Sequence, residues 1–173
     1  AGQPGDSMRF LITGGCGFIG SHLAEILVGR GNSVVVLDDL STGAVENVAG
    51  LLDGPAFSLV VDTILNAAVL DDLVRRADFV FHLAAVVGVK KVLEQPVESI
   101  VINVEGTQNV LKSCARCGRR VLLASTSEIY GKNDKVPFVE TADSILGPTC
   151  RRRWSYACSK ALDEFLALAY YDE

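Results

Sequence analysis

The 173-residue sequence lacks the features that would point to a membrane or a nucleic acid as its partner. It contains no run of about 20 apolar residues, the length that a transmembrane helix requires. It has no excess of basic residues either, because 16 Lys and Arg stand against 21 Asp and Glu and the formal net charge is −5. A phosphate backbone would therefore meet no positive field. With 49% hydrophobic and 21% charged residues, the chain is predicted to fold rather than to remain disordered.

A regular cysteine framework is also missing. The cysteines are odd in number and irregularly spaced, so we expect them to be reduced, as in a cytoplasmic protein; they are Cys16, Cys114, Cys117, Cys150 and Cys158. Cys114 and Cys117 have the spacing of half a zinc site, but no second pair completes it, so no metal site is predicted. No signal peptide precedes Met8, and residues 1–7 are small and polar, like the remnant of an expression tag.

Short apolar runs alternate with segments of helical periodicity after Met8. The runs predict strands at 8–13, 33–37, 57–61, 79–83 and 120–125. The periodic segments predict helices at 18–30, 64–76, 96–118 and 156–171, whereas 40–55 and 131–149 are expected to be irregular. This alternation predicts one α/β domain over 8–173 with a doubly wound (Rossmann) parallel sheet.

Three regularly spaced glycines mark the turn from the first predicted strand into the first predicted helix. They are Gly14, Gly17 and Gly20, one residue further apart in the first gap than in the common dinucleotide fingerprint. At such a turn glycines allow a tight bend, a close approach of the backbone to a pyrophosphate and close packing of helix on strand. The helix N-terminus then offers free N–H groups to the phosphates.

Acidic residues end the second and third predicted strands. Asp38 stands where a carboxylate accepts hydrogen bonds from the ribose diol of an adenosine, and its charge would repel the 2′-phosphate of NADP. The glycine pattern and Asp38 together predict a site for NAD. Asp62, with the N–H of Thr63, is predicted either to hold the adenine amino group or to cap the next helix.

A second group of residues has the pattern of an acid and base catalyst. Tyr156 and Lys160 are four residues apart and therefore share one helical face, and Thr126 follows the fifth predicted strand. A lysine ammonium and a positive nicotinamide ring would lower the pKa of the phenol, so that the phenolate takes a proton from a hydroxyl group. Each residue alone is ordinary, but their order on one α/β domain indicates catalysis.

These motifs together resemble those of the extended short-chain dehydrogenase/reductases, in particular the NAD-dependent nucleotide-sugar epimerases, dehydratases and decarboxylases. The resemblance extends over nearly all of the sequence after Met8. The segments that carry it are Thr13-Gly-Gly-Cys-Gly-Phe-Ile-Gly-Ser-His-Leu23, Asp38-Asp-Leu-Ser-Thr-Gly43, His82-Leu-Ala-Ala85, Asn103-Val-Glu-Gly-Thr107, Ser125-Thr-Ser-Glu-Ile-Tyr-Gly131 and Tyr156 with Lys160.

The resemblance implies oxidation at C4 of a nucleotide-bound sugar by NAD. It implies further cofactor contacts, besides those of the glycines, Asp38, Asp62 and Thr63, from Phe18, Ile19, Asp39, Ser41, Thr42, Gly43, Leu83, Ala84, Ala85, Asn103, Tyr156 and Lys160. The step that follows oxidation differs among family members. Ser127 replaces the Asp of the 4,6-dehydratases, and Ser127 with Glu128 before an Arg-Trp-x-Tyr segment resembles the UDP-glucuronate decarboxylases.

Several alternatives remain open. A UDP-glucose or UDP-glucuronate 4-epimerase is the nearest one, and an NAD-binding module or inactive fragment without catalysis belongs to another class. A structural α/β domain whose motifs are relics is a third. The three arginines at 151–153 could attract an anionic substrate or form a solvated loop.

The resemblance also implies what is missing. Family members carry a C-terminal substrate domain that this sequence lacks, so we expect the 173-residue chain to bind NAD but to turn over poorly. It further implies a homodimer built from the helix after Asn103 and the helix of Tyr156. The latter has an apolar face that could serve the dimer or pack on the sheet, formed by Ala161, Leu162, Phe165, Leu166 and Ala169.

Overall fold

The computed structural model describes residues 7–88 and 93–173, which form two compact units. Within these residues, the first unit contains 7–84 and 109–124, and the second contains 85–88, 93–108 and 125–173. Residues 1–6, most of the predicted tag remnant, lie outside the described residues.

The first unit contains a parallel five-stranded sheet. Its strands are β1 (Arg9–Thr13), β2 (Ser33–Asp38), β3 (Phe57–Val61), β4 (Phe79–His82) and β5 (Arg120–Leu123). The strand order is β3-β2-β1-β4-β5. Strands β2 and β3 lie on one side of β1 and β4 and β5 on the other, so the order in which strands are added reverses beside β1. In sheets with such a reversal, ligands bind at the carboxyl ends of the strands next to it. The predicted doubly wound α/β fold is confirmed.

Five α-helices accompany the strands within the described residues. They are α1 (Phe18–Gly29), α2 (Ala67–Arg76), α3 (Pro96–Val101), α4 (Thr107–Cys117) and α5 (Trp154–Asp172). A 3₁₀ helix at Val45–Leu51 occupies part of a segment that the sequence predicted to be irregular. Helix α2 begins later than predicted because Asn66 caps it, its side chain accepting a hydrogen bond from the N–H of Val69.

The core of the first unit lies on both faces of the sheet. Successive residues of β1, Leu11 and Ile12, are both fully buried, although their side chains point to opposite faces. Ile12 packs with Val34, Val36 and Val48 in one cluster. Helix coverage of both faces explains why these strands read as continuous apolar runs.

The second unit is built around α5. Helix α3 packs against it, and the helical backbone continues from α3 through a π-helical turn, Ile102–Gly106, into α4. The sequence predicts one regular helix over this stretch and gives no sign of the π turn. A 3₁₀ helix, Ser127–Tyr130, also contacts α5, and α5 begins at Trp154 rather than at Tyr156.

Helix α5 has an unusual distribution of side chains. Its buried residues include the polar Ser159, Lys160 and Asp163, whereas Phe165 and Leu168 are 71% and 62% exposed. The predicted apolar face is therefore largely on the surface. No helix of the described ranges, 7–88 and 93–173, is long and apolar enough to cross a bilayer.

Candidate active site

The glycine turn brings three strands within backbone contact in the first unit. The N–H of Gly14 donates to the carbonyl of Leu37 at 2.8 Å, and Gly14 has a φ of +72°. A Cβ at Gly14 would lie 2.7 Å from the amide nitrogen of Ala84, and one at Gly20 would lie 2.5 Å from the carbonyl oxygen of Gly14. A glycine is therefore required at both positions by the protein itself.

The N-terminus of α1 begins at this turn. Gly17 is its N-cap with extended backbone angles, and the structure gives the helix no side-chain cap. Phe18 and Ile19 in the first turn are 80% and 69% exposed. The uncapped N–H groups of a 12-residue helix suit a phosphate ligand.

Asp38 links the end of β2 to the glycine turn. Its Oδ2 accepts a hydrogen bond from the N–H of Cys16 at 2.9 Å, and its Oδ1 accepts one from the N–H of Leu40 at 2.9 Å. An ionised carboxylate has about four lone-pair sites, so roughly two remain for a ligand. The residue is buried, which fixes the direction of those sites.

The segment after Asp38 is held against the glycine turn. Asp39 forms a local turn in which its Oδ1 accepts from the N–H of Ser41 at 2.9 Å, and Thr42 is exposed beside it. At Gly43 a Cβ would lie 2.9 Å from the backbone of Cys16. The side chain of Asn47 donates to the carbonyl of Cys16 at 2.8 Å, a contact that no motif in the sequence signals.

The carboxylate of Asp62 accepts hydrogen bonds from residues of the turn that follows β3. Its Oδ1 accepts from the N–H of Thr63 at 2.7 Å, and its Oδ2 accepts from the side-chain amide of Asn66 at 2.9 Å. The N-cap of α2 is Asn66, so Asp62 supports the cap rather than forming it. Its contact with an adenine remains a prediction.

Thr13 fixes the start of the segment after β4. The N–H of Leu83 donates to the carbonyl of Thr13 at 3.0 Å, and the N–H of Ala84 donates to its hydroxyl at 3.3 Å. The same hydroxyl lies 2.7 Å from Nδ1 of the buried His82. The sequence motifs include Thr13 but do not reveal this positioning role.

In the second unit, Ala85 precedes a clamp made by Asn103. The Oδ1 of Asn103 accepts from the N–H of Val86 at 2.7 Å, and its Nδ2 donates to the carbonyl of Val86 at 3.2 Å. Asn103 lies in the π turn and is buried. Its Nδ2 also donates to the hydroxyl of Ser159 at 3.5 Å, so the amide is committed within the second unit, and its contact with the cofactor remains a prediction.

Three of the predicted catalytic residues meet in the second unit. Thr126 caps the 3₁₀ helix, because its hydroxyl accepts from the N–H of Glu128 at 3.3 Å. Thr126 is also hydrogen-bonded to the side chain of Tyr156. Ser127 and Glu128 are exposed in the first turn of that 3₁₀ helix.

The phenol of Tyr156 is harder to ionise than a free phenol. Burial raises the pKa of Tyr156, the hydrogen bond with Thr126 lowers it, and the charges of Glu128 and Asp163 raise it. The sequence predicts the opposite direction, from the charge of Lys160 with that of a nicotinamide. The difference arises first from the burial of the phenol and then from the charges of Glu128 and Asp163, whereas the prediction applies to the phenol beside a bound nicotinamide.

Lys160 has an acidic partner, Asp163, which the sequence analysis missed. The Nζ of Lys160 lies 3.1 Å from Oδ2 of Asp163, and the two side chains are 3% and 0% exposed. Burial raises the pKa of Asp163, whereas the charge of Lys160 and hydrogen bonds with Lys160 and Thr107 lower it. The spacing of three residues on a predicted helix was the available signal.

The arginine segment is largely solvent-exposed. Arg151 and Arg152 are exposed. The guanidinium of Arg153 lies 4.7 Å from the ring centre of Trp154. One of its nitrogens is 3.8 Å from a carboxylate oxygen of Glu128. An exposed pair at this distance contributes little to stability.

The cysteines differ in reactivity. All five are free. Burial, with the charge of Asp38, raises the pKa of the Cys16 thiol to about 11, and burial, with Cys117, raises that of Cys114 to about 12. Cys150 and Cys158 are exposed.

Within 7–88 and 93–173 no group of three or more His, Cys, Asp or Glu side chains could hold a metal.

Comparison with known proteins assigns the chain to a family. The family model described as GDP-mannose 4,6 dehydratase matches residues 11–173. A UDP-N-acetyl-alpha-D-glucosaminuronate decarboxylase from Bacillus cytotoxicus is 44% identical over 162 residues, which are 94% of this chain and 50% of that protein. UDP-glucuronic acid decarboxylase 1 from Arabidopsis thaliana is 37% identical over 164 residues, which are 95% of this chain and 36% of that protein.

A solved structure of a nucleotide-sugar enzyme is also similar to this chain. The dTDP-glucose 4,6-dehydratase DesIV from Streptomyces venezuelae, with NAD bound, superposes with a TM-score of 0.85 at 34% identity. The match covers 95% of this chain and 52% of that one. The chain thus spans half or less of the curated relatives described above and about half of this structure. With a family model that matches nearly its whole length, the chain belongs to the extended short-chain dehydrogenase/reductases, the family of NAD-dependent nucleotide-sugar dehydratases, epimerases and decarboxylases.

Proposed function

We propose that the protein binds NAD and oxidises C4 of a UDP-linked uronate, which then loses CO2. The observation that carries this proposal is the cluster of Thr126, Glu128 and Tyr156, in which the Thr126 hydroxyl accepts from the backbone N–H of Glu128 and is hydrogen-bonded to the phenol of Tyr156. The Glu128 carboxylate is near enough for its charge to act on that phenol. A hydroxyl, a carboxylate and a phenol in one cluster are suited to proton transfer at a sugar hydroxyl. Homology to two uronate decarboxylases favours this substrate class.

The first unit supplies the features that NAD would need. The uncapped N-terminus of α1 suits the pyrophosphate, and the remaining lone pairs of Asp38 suit the ribose diol. The charge of Asp38 opposes a 2′-phosphate, which favours NAD over NADP. The bound NAD of the similar 4,6-dehydratase is consistent with this choice.

Tyr156 would act as the base in the oxidation. Bound NAD would supply the hydride acceptor and a positively charged ring. The phenolate of Tyr156 would take the proton of the C4 hydroxyl, with Thr126 donating a hydrogen bond to hold the phenol oxygen. Because burial raises the pKa of Tyr156, the phenol stays protonated at neutral pH until a positive charge approaches it.

The step after oxidation distinguishes the candidate activities. A C4 ketone makes the C6 carboxylate of a uronate a β-keto acid, which loses CO2 readily. Ser127 cannot act as the carboxylic acid that a dehydratase uses at this position. Glu128 and Ser127 would instead act around the carboxylate of the substrate, as the resemblance to decarboxylases implies.

Mass spectrometry of the product tests this proposal. UDP-glucuronate and UDP-N-acetylglucosaminuronate would each be incubated with NAD and the longest expressed form of the protein that contains these 173 residues. Loss of the mass of CO2 from either uronate is the expected result. An unchanged mass with an altered retention time would indicate a 4-epimerase, and no change in either substrate would contradict the proposed activity.

We also propose a homodimer formed through α5 and α3, and not through the helix after Asn103, α4, because α4 exposes no large apolar side chain. These packed helices expose large apolar side chains, at Val97 and Ile100 on α3 and at Leu162, Phe165 and Leu168 on α5. Burying such a patch against a second copy would remove it from water.

Replacing Phe165 with Asp should convert the dimer to a monomer, because a charge would then stand in the centre of the apolar patch. Light scattering at micromolar concentration would measure the mass. Val139→Asp, at a 55% exposed apolar residue outside these helices, is the matched control and should remain dimeric. A wild-type chain of monomer mass would contradict the proposed interface.

A further inference from the structure

The pair of Lys160 and Asp163 differs from the other ion pairs of the described residues. In each of the others at least one side chain is more than half exposed, whereas Lys160 and Asp163 are 3% and 0% exposed. Both side chains lie on the buried face of α5, one turn apart, and Nζ is 3.1 Å from Oδ2. Thr107 also lowers the pKa of the Asp163 carboxyl, and the Oδ1 atom of that carboxyl is buried with no hydrogen-bond partner among the described residues.

A buried ammonium group requires a compensating group. Removing a single charge from water is unfavourable unless a partner of opposite charge or several hydrogen bonds replace the water. The carboxylate of Asp163 is the hydrogen-bond partner that the structure gives to Nζ of Lys160. This carboxylate therefore offsets the charge of Lys160 in the buried part of the second unit.

Among the described residues of the neighbouring elements, the acidic side chains are not buried. Glu98 of α3 and Glu105 of the π turn are exposed. Glu128 of the 3₁₀ helix is also exposed and pairs with Arg153. On α5 itself, Glu164 is hydrogen-bonded to Ser125. Asp163 is therefore the group that decides the charge balance around Lys160.

We propose that Asp163 is a positioning residue, which holds the ammonium group of Lys160 inside the second unit and offsets its charge on the neighbouring phenol of Tyr156. The lysine then acts on Tyr156 as half of a neutral pair rather than as a free cation. Asp163 is near enough to Tyr156 for its charge to raise the pKa of the phenol. The proposal rests on the proposed roles of Tyr156 and Lys160, but its physical content is independent of turnover.

Tyrosine titration in the 173-residue chain tests the proposal. The chain would be labelled with ¹³Cζ-tyrosine, and Tyr156→Phe would assign the resonance. In Asp163→Asn the titration midpoint of Tyr156 should fall by about one pH unit, because a negative charge near the phenol is lost and the lysine charge is no longer offset. Asp163→Glu, which keeps the charge, should titrate close to wild type.

Asp172→Asn is the matched control, because it removes the same charge from an exposed position at the far end of α5. It should leave the midpoint of Tyr156 unchanged. A folded Asp163→Asn protein whose Tyr156 titrates at or above the wild-type midpoint would overturn the proposal.

A measurement on the wild-type chain covers the case in which Asp163→Asn fails to fold. The ¹⁵Nζ spectrum should then contain one lysine ammonium group whose protons exchange slowly with water, and this signal should be absent from Lys160→Met. Its absence from the wild-type spectrum would equally overturn the proposal. Neither measurement needs substrate, so an inactive protein would contradict the proposed function and leave this result standing.

Discussion

Replacing Tyr156 with Phe should slow the reduction of NAD by substrate by about 10²- to 10⁴-fold, the range typical for loss of a general acid or base. Phenylalanine keeps the ring of Tyr156 in its partly buried position and removes only the oxygen that the Thr126 hydroxyl contacts. The residues predicted to hold the pyrophosphate and the ribose belong to the first unit, so NAD binding should be retained.

Two measurements separate these effects. Absorbance of reduced cofactor at saturating uronate reports the rate, and calorimetry reports the affinity for NAD. Tyr171→Phe, at an 87% exposed position on the same helix, removes the same oxygen and should behave as wild type. If Tyr156→Phe reduced NAD at the wild-type rate, Tyr156 would not be the base. If it lost NAD binding as well, its role would be structural.

Replacing Gly20 with Ala should destabilise the protein and weaken NAD binding together. The added Cβ would lie 2.5 Å from the carbonyl oxygen of Gly14 and 2.6 Å from Cα of Gly15, so the N-terminal turn of α1 must shift. Overpacking of this kind typically costs about 1–3 kcal/mol of folding free energy. A loss of ~1.4 kcal/mol in phosphate contacts would lower the affinity for NAD about tenfold.

Gly29 provides the matched control for this substitution. It lies in the same helix, and a Cβ there would meet nothing within 4 Å. Gly29→Ala should therefore leave NAD affinity unchanged and stabilise the fold by about 0.4–1 kcal/mol. Thermal unfolding and calorimetry on both variants check the prediction, and a Gly20→Ala protein indistinguishable from wild type would contradict it.

The parts of the fold that follow from local pattern could be predicted. The strands are buried on both faces and therefore have continuous apolar runs, and the glycines at 14 and 20 mark a turn that no other residue fits. Element ends were less predictable, because they depend on single contacts. The Asn66 cap of α2 and the π turn around Asn103 are both examples.

The electrostatics of the catalytic cluster could not be derived from spacing alone. Tyr156 and Lys160 share a helical face, and from the charge of Lys160 together with that of a bound nicotinamide the sequence predicted a lowered pKa for the phenol. The structure adds two facts that spacing does not contain, the burial of the phenol and the pairing of Lys160 with Asp163. The contact of Asn47 with the glycine turn was missed for the same reason, since it joins residues far apart in sequence.

The distribution of the free cysteines has a practical consequence for labelling the protein. Burial and a raised pKa keep Cys16 and Cys114 as unreactive thiols near neutral pH, whereas Cys150 and Cys158 are open to solvent. A maleimide dye should therefore attach first at these two residues, both in the second unit, one just before α5 and one within it. Fluorescence from that dye would report events at α5, and the label itself would leave the glycine turn chemically untouched.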